Sequence, residues 1–332
     1  MNTKGKISRL MSLLSREALA DALGVTLSDI ADWESGRSVP NEKAMQLLAE
    51  KYDIMLNKAS ASPMLSDGSD ARLNADRFSG FADIYESFRP TVPSKACDII
   101  VNYLERTPET VIDLGCGTGL STLIWKDRCL RAIGIEPSQD MILTAMKKST
   151  QDISFKQAYA DNTGLPGGYA DIVVCSQSFH WMNPASTLTE INRILKPGGI
   201  FATIDCDWPP VSCWQAELEY SKLFDKVRML EQNDPSVKIT FHRWEKEHHL
   251  ENIRASGYFR YFREILFDSR ECCTAERFVG IALSQGSLQT ILKIHPEKLE
   301  SDVSAFRRAI YDIFADRTFD ILFCYRMRIG KK

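Results

Sequence analysis

The chain has 332 residues, is 44% hydrophobic and 26% charged, and carries a formal net charge of -3. Those values describe a soluble globular protein with room for about two domains, and they exclude a chain given over wholly to polyanion binding, which would be basic. Nine scattered cysteines, an odd number with no C-x-x-C spacing, exclude a disulfide framework and point to a reducing cytoplasm. The longest uncharged stretch, Ile172 to Thr189, is broken by Ser176, Gln177, Ser178, His180, Asn183 and Pro184. A membrane helix needs about 20 mostly apolar residues, so none is expected. The apolar run Leu10–Leu14 is too short for a signal peptide and is followed by Arg16 and Glu17.

In chain order, residues 1–56 place apolar side chains at helical spacing with no strand-like alternation. A helix over Arg16–Leu23 should stop at Gly24, a second should run over Leu27–Ser35, and Asn41–Lys51 should supply another. The segment Ser15 to Pro40 resembles the phage-repressor type of helix-turn-helix. That resemblance implies a second helix that lies in the major groove of double-stranded DNA. Its charges point less clearly. The second helix carries Asp29, Asp32 and Glu34, with no Lys, Arg, Asn or Gln. Phosphate contacts would then fall to Arg16, Arg37 and Lys43, in a homodimer on paired half-sites. The alternative is a domain that dimerises or covers an active site.

Residues 57–74, small and polar with Pro63 and Gly68 among them, read as a linker. From 75 to 332, apolar runs alternate with helical patterns, the mark of an α/β domain with a parallel sheet covered by helices. Strands are expected at Thr110–Leu114, Arg131–Glu136, Ile153–Gln157, Asp171–Ser176, Ile200–Cys206, Tyr261–Phe267 and Phe319–Ile329. The last two alternate and should pair antiparallel at one edge. Residues 207–257 are too long for a simple connection and read as a helical cap.

The sharpest local feature is Val111-Ile112-Asp113-Leu114-Gly115-Cys116-Gly117-Thr118-Gly119, an apolar strand that runs into a glycine-rich turn and a helix. Glycines let the backbone bend and approach a ligand, and the helix start can receive an anionic group. The next strand ends in Glu136, an acid placed to accept both hydroxyls of a ribose. A nicotinamide-binding domain would space its glycines as G-x-G-x-x-G, which Gly115, Gly117 and Gly119 do not.

Asp113 to Gly119 resembles the first motif of class I S-adenosylmethionine-dependent methyltransferases. Gly134–Met141, Ala160–Pro166, Tyr169–Ser176 and Glu190–Gly199 resemble the family's later motifs, in order. The resemblance implies a seven-stranded Rossmann-like sheet and S-adenosylmethionine as cofactor. It implies Asp113 near the methionine amino group, Gly115 and Gly117 against the cofactor, and Glu136 on the ribose. Asp161 and the backbone N–H of Asn162 would meet the adenine, with Pro137, Met141 and Leu165 around the ring. Ser176, at the end of the fourth strand, joins this set. For Met141 and Leu165, plain core packing is the other reading. The segment Phe78–Pro90 is similar to the lead-in helix of small-molecule methyltransferases of the trans-aconitate type. There Tyr85 would line the transfer side, and Arg89 could pair with the cofactor carboxylate.

His180, in Ser176-Gln177-Ser178-Phe179-His180-Trp181, is the candidate general base, because it follows the fourth strand where an open sheet binds ligands. The other reading makes His180 and Trp181 pocket walls. His242 and His249 are two helical turns apart, too far for one metal, and His248 would face elsewhere. Asp207-Trp208-Pro209-Pro210 reads as a turn into the cap. The functional expectation is methyl transfer to a small organic acceptor. The alternative is a transcription regulator whose second domain senses the cofactor or a metabolite.

Overall fold

Strands buried on both faces need apolar residues at every position, and the short runs above supply them. The computed structural model describes residues 20, 24–35, 37–38, 86–238 and 243–332. The chain divides into two units, Met1–Leu65 and Ser66–Lys332.

In the first unit a helix runs over Leu27–Ser35. Thr26 and Asp29 cap it reciprocally: the Thr26 N–H donates to Asp29 Oδ2 at 2.9 Å, and the Asp29 N–H donates to Thr26 Oγ1 at 3.2 Å. This is a capping box with Asp in the usual place of Glu. Ile30 and Trp33 turn the helix's apolar face inward and are buried with Ala20. Gly24 takes a positive φ at the turn before it. Arg16, Lys43 and the helices expected around them lie outside the described residues, as do the 57–74 linker and Tyr85.

The second unit holds one seven-stranded sheet in the order β3-β2-β1-β4-β5-β7-β6. The strands are β1 Thr110–Leu114, β2 Arg131–Glu136, β3 Ile153–Gln157, β4 Ala170–Ser176, β5 Leu195–Cys206, β6 Tyr261–Cys273 and β7 Phe319–Lys331. Strands β1 to β5 pair in parallel, and β7 runs antiparallel to both β5 and β6. The sixth strand is longer than its apolar pattern suggests. It continues to Cys273 because every residue down to Phe319 of β7 offers a partner. The fifth begins at Leu195, earlier than expected. Leu195 pairs with Ala170, and a register shift then absorbs the Lys196–Gly199 turn before Ile200 meets Ile172.

Alternation splits the core into two layers. Val111, Ile172, Val174, Ile200 and Ala202 face one, where the helices Lys95–Leu104, Trp214–Asn233, Ala275–Leu283 and Glu300–Phe314 pack. Ile112, Val173, Cys175 and Phe201 face the other, beneath the helices Pro184–Ile194 and His249–Ala255. Asp171 is a buried pin between β1 and β4. Its Oδ2 accepts the Glu109 and Thr110 N–H groups at 2.9 Å, while Arg106 and Lys196 hold its Oδ1 at 2.6 and 3.1 Å.

Sheet order reverses between β1 and β4, so a crevice opens beyond their carboxyl ends. The helix Ala275–Leu283 sets one edge of it. Phe88 lies flat on Gly280, where an added Cβ would sit 2.0 Å from Phe88 Cδ1. Arg277 Nη1 also donates to the Phe88 carbonyl at 2.7 Å, so the next residue, Arg89, is aimed from a fixed base. Among the described residues no helix is long and apolar enough to cross a membrane. A test of the Phe88 seat is Gly280→Ala. Helix propensity alone would favour alanine, but overpacking should cost about 1–3 kcal/mol in urea unfolding. A gain in stability would show that Phe88 yields freely.

Candidate functional site

The turn after β1 is built so that a backbone can lie open. Gly115, Gly117 and Gly119 all take positive φ. At Gly115 a Cβ would stand 2.6 Å from the Ser178 Cβ and 2.7 Å from the Met182 Cε, so only glycine fits there. Glu136, at the end of β2, clamps this turn. Its Oε2 accepts the Gly117 N–H at 3.0 Å and its Oε1 accepts the Ser138 N–H at 2.9 Å. Burial pushes its carboxyl up to about 7, against the pull of those two N–H groups.

Asp113 is fully buried on β1. Ser121 Oγ and Thr122 Oγ1 donate to its Oδ2 at 2.6 and 2.7 Å. Its Oδ1 is buried and accepts no hydrogen bond. Burial raises this carboxyl to about 6, with the two hydroxyls opposing. The Ser176 Oγ at the end of β4 is likewise buried without a partner. Unpaired buried polar atoms are costly unless something fills them. An unpaired carboxylate oxygen, an unpaired hydroxyl and a glycine cradle at adjacent strand ends suit the ammonium, carboxylate and nucleoside of a sulfonium cofactor.

The turn after β4 joins this wall. Ser178 Oγ donates to the Leu114 carbonyl at 2.6 Å, which ties the β4 turn to the β1 turn. Gln177 adopts a positive φ of 54°, a conformation that costs a non-glycine residue. Its Oε1 accepts from Arg89 Nη2 at 2.6 Å, and Gln285 Oε1 accepts from Arg89 Nη1 at 3.0 Å. The Arg89 guanidinium also lies over Trp208, 5.1 Å from the ring centroid. Arg89 therefore lines a cavity of about 290 Å³ that His180, Trp181, Trp208 and Tyr220 share.

His180 is buried in a single 3-10 turn, Phe179–Trp181. Its Nδ1 stands 3.7 Å from Asp205 Oδ1, beyond hydrogen-bond reach. Burial, and next the charge of Lys246, hold its pKa well below the ordinary imidazole value. Asp205 sits inside the apolar strand β5, where Lys246 reaches its Oδ1 at 3.0 Å and Arg328 its Oδ2 at 2.9 Å. Burial opposes its ionisation, yet the charge of Lys246 holds its carboxyl well below the usual range. His249 Nε2 lies 3.8 Å from the same carboxylate, and burial lowers His249 to about 4. His180, Asp205 and His249 hold one ligand-type atom each within 4.8 Å of one another. A divalent cation there would face Lys246 and Arg328, which already neutralise the carboxylate. The cluster is an ion-pair network by its charges.

Of the cofactor-side residues expected from the sequence, Asp113, Gly115, Gly117, Glu136 and Ser176 converge on the crevice. Pro137 is half-buried and its carbonyl accepts from Gln157 Nε2 at 3.0 Å. Met141 is buried in the helix Gln139–Met146. Asp161 accepts from Ser186 Oγ at 3.3 Å. The Asn162 N–H, expected to meet an adenine ring, closes a turn on the Tyr159 carbonyl at 3.1 Å, so its exposed side chain is what remains on offer. Arg89, expected to pair with a cofactor carboxylate, donates to the amides of Gln177 and Gln285. His248 is exposed and His249 buried, while His242 lies outside the described residues. Sequence reasoning passed over Asp205, Gln177, Gln285 and Lys246. Asp205 had a signal: an acid inside the apolar run Ile200–Cys206 must be paired when buried.

Five parallel strands, an antiparallel β7 between β5 and β6, and a glycine turn clamped by the acid of β2 define a class I, Rossmann-like methyltransferase fold. Residues 112–203 match the methyltransferase domain family and residues 6–56 the helix-turn-helix family, so the chain joins a methyltransferase domain to an N-terminal helix-turn-helix domain. A methyltransferase-like protein of Dictyostelium discoideum is 31% identical over 124 residues, 37% of this chain and 46% of that protein. An uncharacterized methyltransferase of Mycobacterium tuberculosis is 30% identical over 122 residues, 37% of this chain and 49% of that protein. The chain spans about half the length of these curated relatives. A solved structure of a type II methyltransferase candidate from Anaeromyxobacter dehalogenans shares the fold. Its TM-score is 0.57 at 18% identity, over 74% of this chain and 98% of that one.

Proposed function

We propose that the chain is an S-adenosylmethionine-dependent methyltransferase for a small organic acceptor. The observation that carries this reading is the buried, unpaired Asp113 Oδ1 beside a glycine turn clamped by Glu136. A relative in Saccharomyces cerevisiae, named as a probable S-adenosylmethionine-dependent methyltransferase, supports the cofactor. It is 27% identical over 124 residues, 36% of this chain and 43% of that protein.

On this reading Asp113 Oδ1 accepts from the cofactor's ammonium group, and Gly115 and Gly117 leave room for its body. Glu136 keeps lone pairs for two ribose hydroxyls while its backbone contacts fix it in place. Asp161, Asn162, Pro137 and Met141 border the adenine. The bound cofactor supplies an electrophilic methyl group for in-line displacement. His180 stays neutral at physiological pH because burial disfavours its charged form, so its ring can take a proton from an acceptor hydroxyl or amine. Its Nδ1 faces Asp205, which leaves Nε2 for the acceptor. Asp205 in turn stabilises the imidazolium as it forms. The helix Trp214–Asn233 borders the acceptor side.

The match to the helix-turn-helix family favours a second reading. In it the chain is a transcription regulator on duplex DNA, and the second domain senses the cofactor or a metabolite.

Three measurements test these readings. Glu136→Gln keeps the side-chain shape but removes the charge, so S-adenosylhomocysteine should bind about 10–100-fold more weakly by calorimetry. The Glu136 carboxyl is raised from its ordinary 4.5 to about 7, so it is largely neutral below that pH and ionised above. Affinity in the unaltered chain should therefore climb between about pH 6.5 and 8.5, and the variant should lose that dependence. Equal affinity in the two proteins would remove Glu136 from the cofactor site.

His180→Ala should lower kcat by about 10²–10⁴ with S-adenosylhomocysteine affinity intact. A drop of less than about tenfold would make His180 a pocket wall.

Deletion of residues 1–65 separates the two readings. If the first domain binds DNA independently of methyl transfer, the truncated chain keeps its turnover and loses duplex retention. If the intact chain retains no duplex at low salt, where phosphate contacts are strongest, the regulator reading is wrong.

A further inference from the structure

Strand β6 forms one edge of the sheet and is 13 residues long, whereas β3 at the other edge has 5. A long edge offers a row of unpaired N–H and C=O groups to another strand, which is why most edges are short or covered. Among the described residues no strand lies beyond β6, which packs on β7 and on the helix His249–Ala255. Leu266 on this edge is 65% exposed.

Which backbone groups of β6 face outward follows from β7. The Asp207 N–H donates to the Cys324 carbonyl at 2.8 Å, and the Lys332 N–H donates to the Gly199 carbonyl at 3.0 Å. Even-numbered residues of β7 therefore bond toward β5, and odd-numbered ones bond toward β6. Tyr325 stands opposite Phe267 and Met327 opposite Ile265, so the odd-numbered residues of β6 are taken up as well. Phe262, Glu264, Leu266, Asp268, Arg270 and Cys272 direct their N–H and C=O groups away from the sheet.

The charges along this edge are complementary to their own inversion. Arg263-Glu264 precedes Phe267 at the same distance at which Arg270-Glu271 follows it. A second β6 laid antiparallel about a two-fold axis at Phe267 sets Glu264 opposite Arg270 and Arg263 opposite Glu271, each twice. The parity fits, because Glu264 and Arg270 both present outward backbone groups and can form a hydrogen-bonded pair. The neighbouring registers are worse. An axis at Leu266 sets Glu264 against Asp268, and an axis at Asp268 sets that acid against its own copy. In the favoured register the two Leu266 side chains lie diagonal to each other on one face, within reach for contact. The acids are fixed in place, Glu264 by Arg326 and Arg328 and Glu271 by Arg277. The arginines are held less closely. Arg270 stands 3.8 Å from Asp320 with both side chains 66% exposed, and Arg263 Nη1 donates to the Tyr103 hydroxyl at 3.4 Å. A carboxylate has lone pairs enough to accept a further guanidinium.

We propose that β6 is a self-complementary edge on which a second copy of this chain pairs antiparallel, joining two sheets across a two-fold axis at Phe267. Charges along an edge repel a foreign strand, and here they match one partner in one register. The pairing uses no residue assigned above to the cofactor, so it stands or falls apart from the methyltransferase reading. It puts two helix-turn-helix domains on one particle, which paired DNA half-sites require.

The test uses the full chain. Sedimentation at tens of micromolar should show a doubled mass, and a monomer there overturns the proposal. Arg263→Glu and Arg270→Glu each turn two attractive pairs into repulsive ones and should weaken the dimer at least about tenfold. A dimer equally tight in both variants lies on another surface and overturns the proposal. Glu271→Arg should weaken the dimer likewise, and an equal mixture of Arg263→Glu and Glu271→Arg chains should restore it, because every facing pair is again opposite in sign. A folded mixture that fails to associate overturns the proposal. Circular dichroism melts check the folding, since Glu271 also holds Arg277. A covalent probe does not depend on that acid. A chain carrying both Ile265→Cys and Ser269→Cys should link to its copy under mild oxidation, because those positions face each other across the axis with Cα atoms about 4.5 Å apart. Within one chain they stand roughly 13 Å apart and cannot bond. A double variant that stays single on a non-reducing gel overturns the proposal, and so does an unaltered chain that links as readily through its own cysteines.

Discussion

One carboxylate holds the crevice open. Glu136 accepts N–H groups from Gly117 and Ser138, which belong to the turns after β1 and β2. Neither turn could keep its shape alone, because positive-φ glycines have many other conformations available. Ser178 adds the third turn by donating to the Leu114 carbonyl and by crowding Gly115 to within the reach of a single methyl group. Three strand ends are thereby fixed to one another through side chains that sit at the floor of the site. The cost is visible in Glu136 and Asp113, whose carboxyls burial drives up to about 7 and 6. A ligand that donates hydrogen bonds to them would recover part of that cost.

The cavity beside His180 is organised by another buried acid with the opposite behaviour. Asp205 is as deeply buried as Glu136, yet Lys246 and Arg328 keep it ionised. Arg328 comes from β7, which lies against β5 only because the last strand inserts antiparallel between β5 and β6. The inserted strand thus carries a counter-charge into the site. With Asp205 satisfied, His180 and His249 remain neutral beside it. Arg328 also meets Glu264 at 2.9 Å, so two acids, Asp205 and Glu264, face two cations, Lys246 and Arg328.

How much of this was legible follows from the range of each interaction. The strands β1 to β5, the glycine turn and Glu136 were readable because their signals are local: apolar runs, glycines at fixed spacing, an acid at a strand end. The full length of β6 was not, since Asp268–Cys273 extend only because β7 offers partners opposite them. The amide partners of Arg89 were not legible for the same reason. It meets Gln177 and Gln285, 88 and 196 residues away, and no pattern in the sequence links those positions. Asp205, His180 and His249 form one cluster only after the sheet has brought β5 beside β4 and the helix His249–Ala255 has packed on β6 and β7.

The acids of the helix Leu27–Ser35 have local partners as well as a charge. Three acids on a helix read as a recognition helix suggest repulsion from phosphate. Asp29, however, is occupied in capping its own helix through Thr26, and those hydrogen bonds keep its carboxyl low. Asp32 lies 3.2 Å from Arg37, so its charge is answered within the same turn of chain. That pair has a price for the DNA reading as well. Arg37 was one of the few cations available for phosphate, and a duplex would have to draw it from Asp32. Arg37 is largely exposed and Asp32 partly so, which makes the pair a weak one.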